Sequence, residues 1–208
     1  MRNQRRAQKA ASTGEVQVDS IVVRPLVAAD AKLIDAMHQR LSPESVYYRY
    51  LQYRKPTATE IATLCHLAPA QGLGFVAITQ TEAAIVGLAY YMREAGEKEP
   101  TAEPAILVED HFQGQGIGRR LWQTLQQQAQ QDGLRWLRVL SHPQNWRLAR
   151  LVQGGGLPYS ATANGGISEY LVDLNCPAAD QANGWWLKIG RLWRTAQPFT
   201  LDDLHAWQ

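Results

Sequence analysis

A glycine-rich turn between an apolar strand and a helix is the feature that most restricts how this chain can fold. The run Ala105–Val108 is apolar throughout, as expected of a central strand buried on both faces. The turn Gln113–Gly118 follows, and then Ile117–Gln131 carries its apolar residues on one helical stripe. Gly133 is expected to end this helix, and Leu134–Leu140 is predicted to form the next strand. The sequence therefore predicts an α/β domain built around a strand, a turn, a helix and a second strand.

Three capping patterns predict helices ahead of this turn. Ser42 is followed by a proline and an acid, which suits the first turn of a helix. Thr57 and Glu60 form a capping-box pattern, and Asp30 is expected to cap a third helix. Short β-rich runs predict strands at Ile21–Arg24, Phe75–Thr79 and Ala83–Met92.

The two ends of the chain differ in composition from its middle. The first 14 residues carry four basic side chains and no acid, so we predict that this segment is disordered. Four of the seven tryptophans lie beyond Gly184. We therefore divide the 208 residues into a disordered basic tail (residues 1–16), one folded domain (residues 17–176) and a tryptophan-rich appendage (residues 177–208).

Hydropathy and cysteine usage narrow the class of protein. No apolar run approaches the length of a bilayer span, and no apolar segment near the N-terminus resembles a secretory signal. The two cysteines, Cys65 and Cys176, have no metal-binding spacing, so we expect structural thiols, no metal site and a cytoplasmic location. No nucleic-acid partner is expected, because the basic excess is confined to the tail.

The chemistry of the turn suits a phosphate group. Unpaired amides at a helix start carry partial positive charge, glycines let a ligand approach the backbone, and Arg119 and Arg120 add charge. A P-loop would require a lysine and then a serine or threonine after Gly118, and the chain has neither there. A dinucleotide-binding turn would have an acid at the end of the next strand, which instead reads Leu140-Ser141-His142-Pro143. A tight turn without a ligand remains an alternative.

The segment Val108–Leu121 resembles the acetyl-CoA motif of the GNAT acetyltransferases. The family pattern is Gln or Arg, two residues, Gly, one residue, then Gly or Ala, and Gln113, Gly116 and Gly118 satisfy it. Leu41–Ser45 and Ala102-Glu103 are similar to the bacterial protein-lysine acetyltransferases that are often fused to acyl-CoA synthetase-like domains.

This resemblance implies a GNAT fold for the folded domain, with a mixed, mostly antiparallel central sheet, splayed strands 4 and 5, and flanking helices. It also implies acetyl-CoA as co-substrate, with its pantetheine arm along the backbone of strand 4 and its pyrophosphate in the turn. The cofactor-binding residues that it implies are Ile106, Leu107, Val108, Gln113, Gly114, Gln115, Gly116, Ile117, Gly118, Arg119, Arg120 and Asn145.

The implied function is transfer of an acetyl group from acetyl-CoA to a primary amine, a protein lysine in the branch that the chain resembles. An ammonium must lose its proton before it can attack, and Glu103 is our candidate for the base. Two alternatives stay open, namely a small amine as acceptor and a catalytically silent acetyl-CoA sensor. The sensor is suggested by Pro104 after Glu103, and by Val152 where many family members have a tyrosine. The aromatic C-terminal segment is expected to dock on its own domain or on a second copy of the chain, so a homodimer is a further expectation.

Overall fold

The structure is a computed structural model, and it describes residues 21–175. The predicted basic tail, the tryptophan-rich appendage and Cys176 lie outside the described residues. Among the described residues, no helix combines the length and the hydrophobicity that a bilayer crossing requires.

Seven strands and five α-helices make up the described part of the chain. They follow one another as β1 (Ile21–Pro25), α1 (Ala31–Arg40), α2 (Pro43–Tyr50), α3 (Ala58–Cys65), β2 (Gly72–Thr79), β3 (Ile85–Arg93), β4 (Thr101–Val108), α4 (Ile117–Gln131), β5 (Trp136–Ser141), α5 (Trp146–Gln153), β6 (Tyr159–Asn164) and β7 (Ile167–Asp173). Short 3₁₀ turns lie at Ala28–Asp30 and Asp110–Phe112.

The strands form one sheet in the order β1-β2-β3-β4-β5-β7-β6. The pairs β1–β2, β2–β3, β5–β7 and β6–β7 are antiparallel, whereas β4 and β5 are parallel. The parallel ladder is short, since it joins Thr101 with Trp136 and Ala102 with Leu137. The predicted mixed, mostly antiparallel sheet with flanking helices is confirmed.

By internal packing, the chain divides into two compact units. The first contains residues 21–93 and 104–128, and the second contains residues 94–103 and 129–175. Strand β4 and helix α4 each contribute residues to both units.

The core of the first unit lies where helices α1 to α3 meet strands β2 and β3. Ile34 and Met37 are fully buried, because a three-residue spacing places both on one face of α1. They belong to one hydrophobic cluster with Val46 of α2, Ile61 of α3 and Val76 of β2. This cluster fixes the positions of the helices that carry the side chains discussed below.

Two of the three predicted helix caps are confirmed. Ser45 N–H donates to Ser42 Oγ at 3.2 Å, and Thr57 and Glu60 form the full capping box. Asp30 precedes α1 but makes no capping bond, so that expectation was wrong. Its carboxylate instead accepts two hydrogen bonds from the Arg24 guanidinium, both at 2.7 Å, and this contact lowers the pKa of Asp30.

Several strand bounds differ from the sequence-based prediction for steric reasons. Strand β2 begins at Gly72, before the predicted start at Phe75. A Cβ on Gly72 would lie 2.2 Å from Tyr91 O, so this ladder position accepts only glycine, a residue that propensity scales disfavour in strands. Strand β5 begins at Trp136, because the Leu134 N–H still donates to Ala129 O at the end of α4. The predicted end of α4 near Gly133, which has φ +71°, is confirmed.

Strand β4 is longer and less buried than its sequence suggests. It begins at Thr101 instead of Ala105, and includes Pro104. Ala105, Ile106 and Val108 are only half-buried, so the prediction of burial on both faces was wrong. Part of the strand surface is therefore left accessible.

Candidate functional site

The turn before α4 has a backbone that only glycine adopts without strain. Gly114 has φ +77° and Gly116 has φ +85°. A Cβ added to either glycine would meet no atom within 4 Å. Glycine is therefore required here for its conformation, and open space lies beside both residues where a ligand can approach the backbone.

The first turn of α4 presents free amides. Arg120 N–H donates to Gly116 O at 3.0 Å, which is the first hydrogen bond of the helix. The amides of Ile117, Gly118 and Arg119 therefore have no acceptor within the helix. The first turn holds no acid, and the side chains of Arg119 and Arg120 are exposed. Oriented amides and two guanidinium groups make this helix start suited to an anion.

Side chains of the turn itself hold its shape. Gln113 Nε2 donates to Val108 O at 2.9 Å and to Ser45 Oγ at 3.2 Å. Gln115 Nε2 donates to His111 O at 2.9 Å. The side chain of Gln113 thus ties the end of β4 to helix α2.

Asp110 anchors the turn to the start of α2. Its carboxylate accepts the Ser42 N–H at 2.9 Å and the hydroxyls of Ser42 and Ser45 at 2.7 and 2.8 Å. Burial alone would raise the pKa of Asp110, but these hydrogen bonds outweigh burial and hold its pKa below the usual value. Sequence reasoning assigned Ser42 to a helix cap but did not connect the Leu41–Ser45 motif with Asp110. Two hydroxyls three residues apart, on one helix face, were the available signal.

Glu109 makes a second anchor, to α1. It is buried and accepts hydrogen bonds from Arg40 Nε at 3.0 Å and Arg40 Nη2 at 2.8 Å, while its own N–H donates to Val86 O at 2.9 Å. Both acids next to the turn are therefore engaged by protein groups. Arg120 Nη1 donates to Ile21 O at 3.1 Å, so the amides and Arg119 are the groups left to face a ligand.

Glu103 belongs to a group of acids in the second unit. Its side chain is exposed. Arg138 contacts three neighbouring carboxylates, with Nη1 at 2.5 Å from Glu94, Nη2 at 3.0 Å from Glu97, and Nε at 3.7 Å from Glu169. Four carboxylates and one guanidinium leave three negative charges on this group.

Glu94 is the acid that sequence reasoning missed. Burial raises its pKa, and the charges of Glu97, Glu103 and Glu169 raise it further, against the lowering effect of Arg138. The residue opens a segment rich in charge, Gly and Pro, a composition typical of an exposed loop. No local pattern indicates that its side chain becomes partly buried.

The sequence matches the acetyltransferase (GNAT) family model over residues 34–152, more than half of the chain. The chain belongs to the GNAT family. The predicted family and the predicted class, an acyl-CoA-dependent N-acetyltransferase, are thereby confirmed.

Solved structures share the fold of this GNAT chain. The GNAT domain of PAT from S. lividans superposes with a TM-score of 0.64 at 24% identity, covering 73% of this chain and 89% of that one. YncA, a putative acetyltransferase from Salmonella typhimurium solved with its cofactor acetyl-CoA, gives 0.60 at 19% identity, covering 76% and 96%. Spermidine N-acetyltransferase from Vibrio cholerae, in complex with CoA and spermine, gives 0.58 at 15% identity, covering 74% and 96%. At these identities the likeness establishes the fold alone.

The remaining candidate residues of the GNAT chain lie on β4 and α5. Asn145 is the N-cap of α5, since its Oδ1 accepts the Leu148 N–H at 3.2 Å, which leaves its amide nitrogen available to a ligand. Leu107 packs into the core of the first unit, whereas Ile106 and Val108 are half-buried. Val152, where many family members have a tyrosine, is a buried apolar residue of α5. Within residues 21–175, no group of three or more His, Cys, Asp or Glu side chains could hold a metal ion.

Proposed function

We propose that this chain transfers the acetyl group of acetyl-CoA to a primary amine, and that the acceptor is a lysine side chain of a protein. The turn at the start of α4 carries this proposal. It combines two left-handed glycines beside open space, three free amides and two exposed arginines. The glycines leave room for a ligand, and the amides and arginines favour a pyrophosphate over a neutral ligand.

Different residues would hold the different parts of CoA. The amides between Gly114 and Arg119 would hold the pyrophosphate, with Arg119 and Arg120 adding charge. The half-buried backbone of Ile106–Val108 would lie along the pantetheine arm, and the amide nitrogen of Asn145 would donate to it. Bound acetyl-CoA supplies an activated acetyl thioester.

The acidic group of the second unit supports a cationic acceptor. Its excess negative charge attracts an ammonium ion and repels an acidic substrate. We assign Glu103 the role of proton acceptor, because it forms no ion pair among the described residues. The other three acids, Glu94, Glu97 and Glu169, are paired with Arg138. The acceptor nitrogen loses its proton to this carboxylate and is then neutral.

A small polyamine is the second candidate acceptor, since the same negative charge suits it. The neighbour from Vibrio cholerae is a spermidine N-acetyltransferase, although its 15% identity supports the fold only. A silent sensor, the third alternative, would bind acetyl-CoA without turnover.

One experiment separates these possibilities. Acetyl-CoA at a hundredfold excess over its Kd should stabilise the chain by about 2.7 kcal/mol, which is measurable as a rise in Tm. Release of CoA thiol is then followed with a lysine-containing peptide, with the same peptide carrying arginine instead, and with spermidine. We expect release with the lysine peptide alone. Release with spermidine only would select the small-amine function, a Tm rise without release would select the sensor, and no Tm rise would overturn the proposal.

A further inference from the structure

The first unit contains a cavity of about 270 Å³ that no part of the acetyl-transfer proposal uses. It lies between α1, α2, α3 and β3. Ile61, Leu64 and Met92 give it an apolar wall, while Arg49, Tyr50 and Tyr90 give it a polar one. The volume is just below that of typical drug-sized pockets, roughly 300–1,000 Å³, so it suits a ligand smaller than a drug molecule.

Arg49 is held in one orientation at this cavity. Its Nη2 donates to Tyr90 Oη, and its Cζ lies 4.8 Å from the ring centroid of Tyr50 and 5.2 Å from that of Tyr90. The hydrogen bond to Tyr90 and the cation–π contact with the Tyr50 ring restrict the orientation of the guanidinium. Its other N–H groups have no protein acceptor among residues 21–175. A preorganised guanidinium with free donors is ready to bind a ligand at little entropic cost.

The phenol of Tyr50 adds no negative charge to the cavity. His38 Nδ1 lies 2.8 Å from Ile34 O, so this nitrogen carries the hydrogen and donates. Nε2 is then an acceptor, and Tyr50 Oη donates to it at 2.7 Å. Burial raises the pKa of Tyr50 to about 12, and burial lowers the pKa of His38, so both side chains are neutral near pH 7.

The charges of the remaining lining residues cancel. Arg54 and Glu60 form two parallel hydrogen bonds, both at 2.8 Å, at the exposed rim. Among the residues that line the cavity, the charge of Arg49 is therefore the one without a carboxylate partner. Tyr90 Oη accepts from Arg49, which leaves the hydroxyl hydrogen of Tyr90 as a further donor.

We propose that this cavity is a binding site for the carboxylate group of a small ligand with a short apolar chain. The carboxylate pairs with the Arg49 fork and accepts from Tyr90, while the chain packs against Ile61, Leu64 and Met92. A planar fork favours a planar carboxylate, and the apolar wall disfavours a second charge on the ligand. This site is independent of the acetyl-transfer proposal.

The test uses hexanoate as the probe and hexanamide, its neutral analogue, as the comparison. Binding is followed at constant ionic strength by NMR of the Met92 ε-methyl and Ile61 δ-methyl groups in the wild-type chain. We expect hexanoate to shift these methyls saturably with a Kd of roughly 1 mM, since eight non-hydrogen atoms support only weak binding. Hexanamide should bind at least about tenfold more weakly, because it cannot form the charge-assisted pair.

Two variants test whether the charge of Arg49 is the one that binds the carboxylate of hexanoate. Arg49→Gln should weaken hexanoate binding by about tenfold or more. Lys32→Gln, which removes an exposed charge of α1 outside the cavity, should leave it unchanged. If Arg49→Gln does not fold, the wild-type comparison of the two probes still decides. Equal binding of hexanoate and hexanamide, hexanoate shifts confined to methyls outside the cavity, or equal losses in the two variants would overturn the proposal.

Discussion

Replacing Gly116 with aspartate should weaken acetyl-CoA binding by about 100-fold or more, equivalent to about 2.8 kcal/mol, while the chain remains folded. The new carboxylate would project into the open space beside the amides of α4, where we place the pyrophosphate. It would repel the phosphates, and the φ of +85° would strain any residue with a Cβ. An acid before a helix is compatible with the helix dipole, so the fold itself should tolerate the change. Calorimetric titration with acetyl-CoA measures the loss.

Gly133→Asp is the matched control for backbone strain. Gly133 also has a left-handed φ, +71°, and a Cβ added there would meet no atom within 4 Å, but it lies after the end of α4. We expect a similar loss of Tm in the two variants and a loss of acetyl-CoA affinity in Gly116→Asp alone. Wild-type affinity in Gly116→Asp would show that the phosphates bind elsewhere.

Replacing Glu103 with glutamine should lower turnover by about 10²–10⁴-fold, the usual contribution of a general base, with acetyl-CoA affinity unchanged. Glutamine keeps the shape of the side chain but accepts no proton near neutral pH. The deficit should shrink as the pH rises, because more of the acceptor lysine, with a reference pKa of about 10.4, is then already neutral. Initial rates of peptide acetylation across pH 7 to 10 (roughly the span over which lysine deprotonates) give this profile.

Glu169→Gln removes one negative charge from the same acidic group and serves as the control. Glu169 is part-exposed and contacts Arg138 at 3.7 Å, so we expect a modest effect on KM and little effect on kcat. Glu94→Gln tests the competing carboxylate, whose pKa is raised by burial and by its acidic neighbours. A large loss in Glu94→Gln with near wild-type turnover in Glu103→Gln would transfer the role of the base to Glu94.

The features that the sequence predicts well depend on residues close together in the chain. The cap of Ser42 on the Ser45 amide and the capping box of Thr57 and Glu60 each join residues three positions apart, so local chemistry decides them. Glycine at Gly114 and Gly116 indicates a turn whose backbone other residues avoid, and both have a left-handed φ. The glycine turn could thus be predicted without knowledge of the tertiary structure.

The features that sequence reasoning missed depend on residues far apart in the chain. The pKa of Glu94 is set by burial and by charges that include Glu169 on β7, and Asp110 is held by hydroxyls of α2. The cap of Asp30 failed because Arg24, on the preceding strand, binds its carboxylate more strongly than a helix amide would. Local sequence patterns predict caps and turns. Tertiary contacts decide which charged and polar side chains remain free to bind a ligand.

The amide NMR spectrum of the wild-type chain, titrated with acetyl-CoA, tests the central claim most directly. If the helix start holds the pyrophosphate, the amides of Gly114, Gly116 and Gly118 should shift strongly and saturably, since they lie at the turn. The amide of Gly133, a left-handed glycine beyond the opposite end of α4, should shift little. Saturable binding that leaves Gly114, Gly116 and Gly118 unshifted would contradict the account, as would the absence of any shift at millimolar acetyl-CoA.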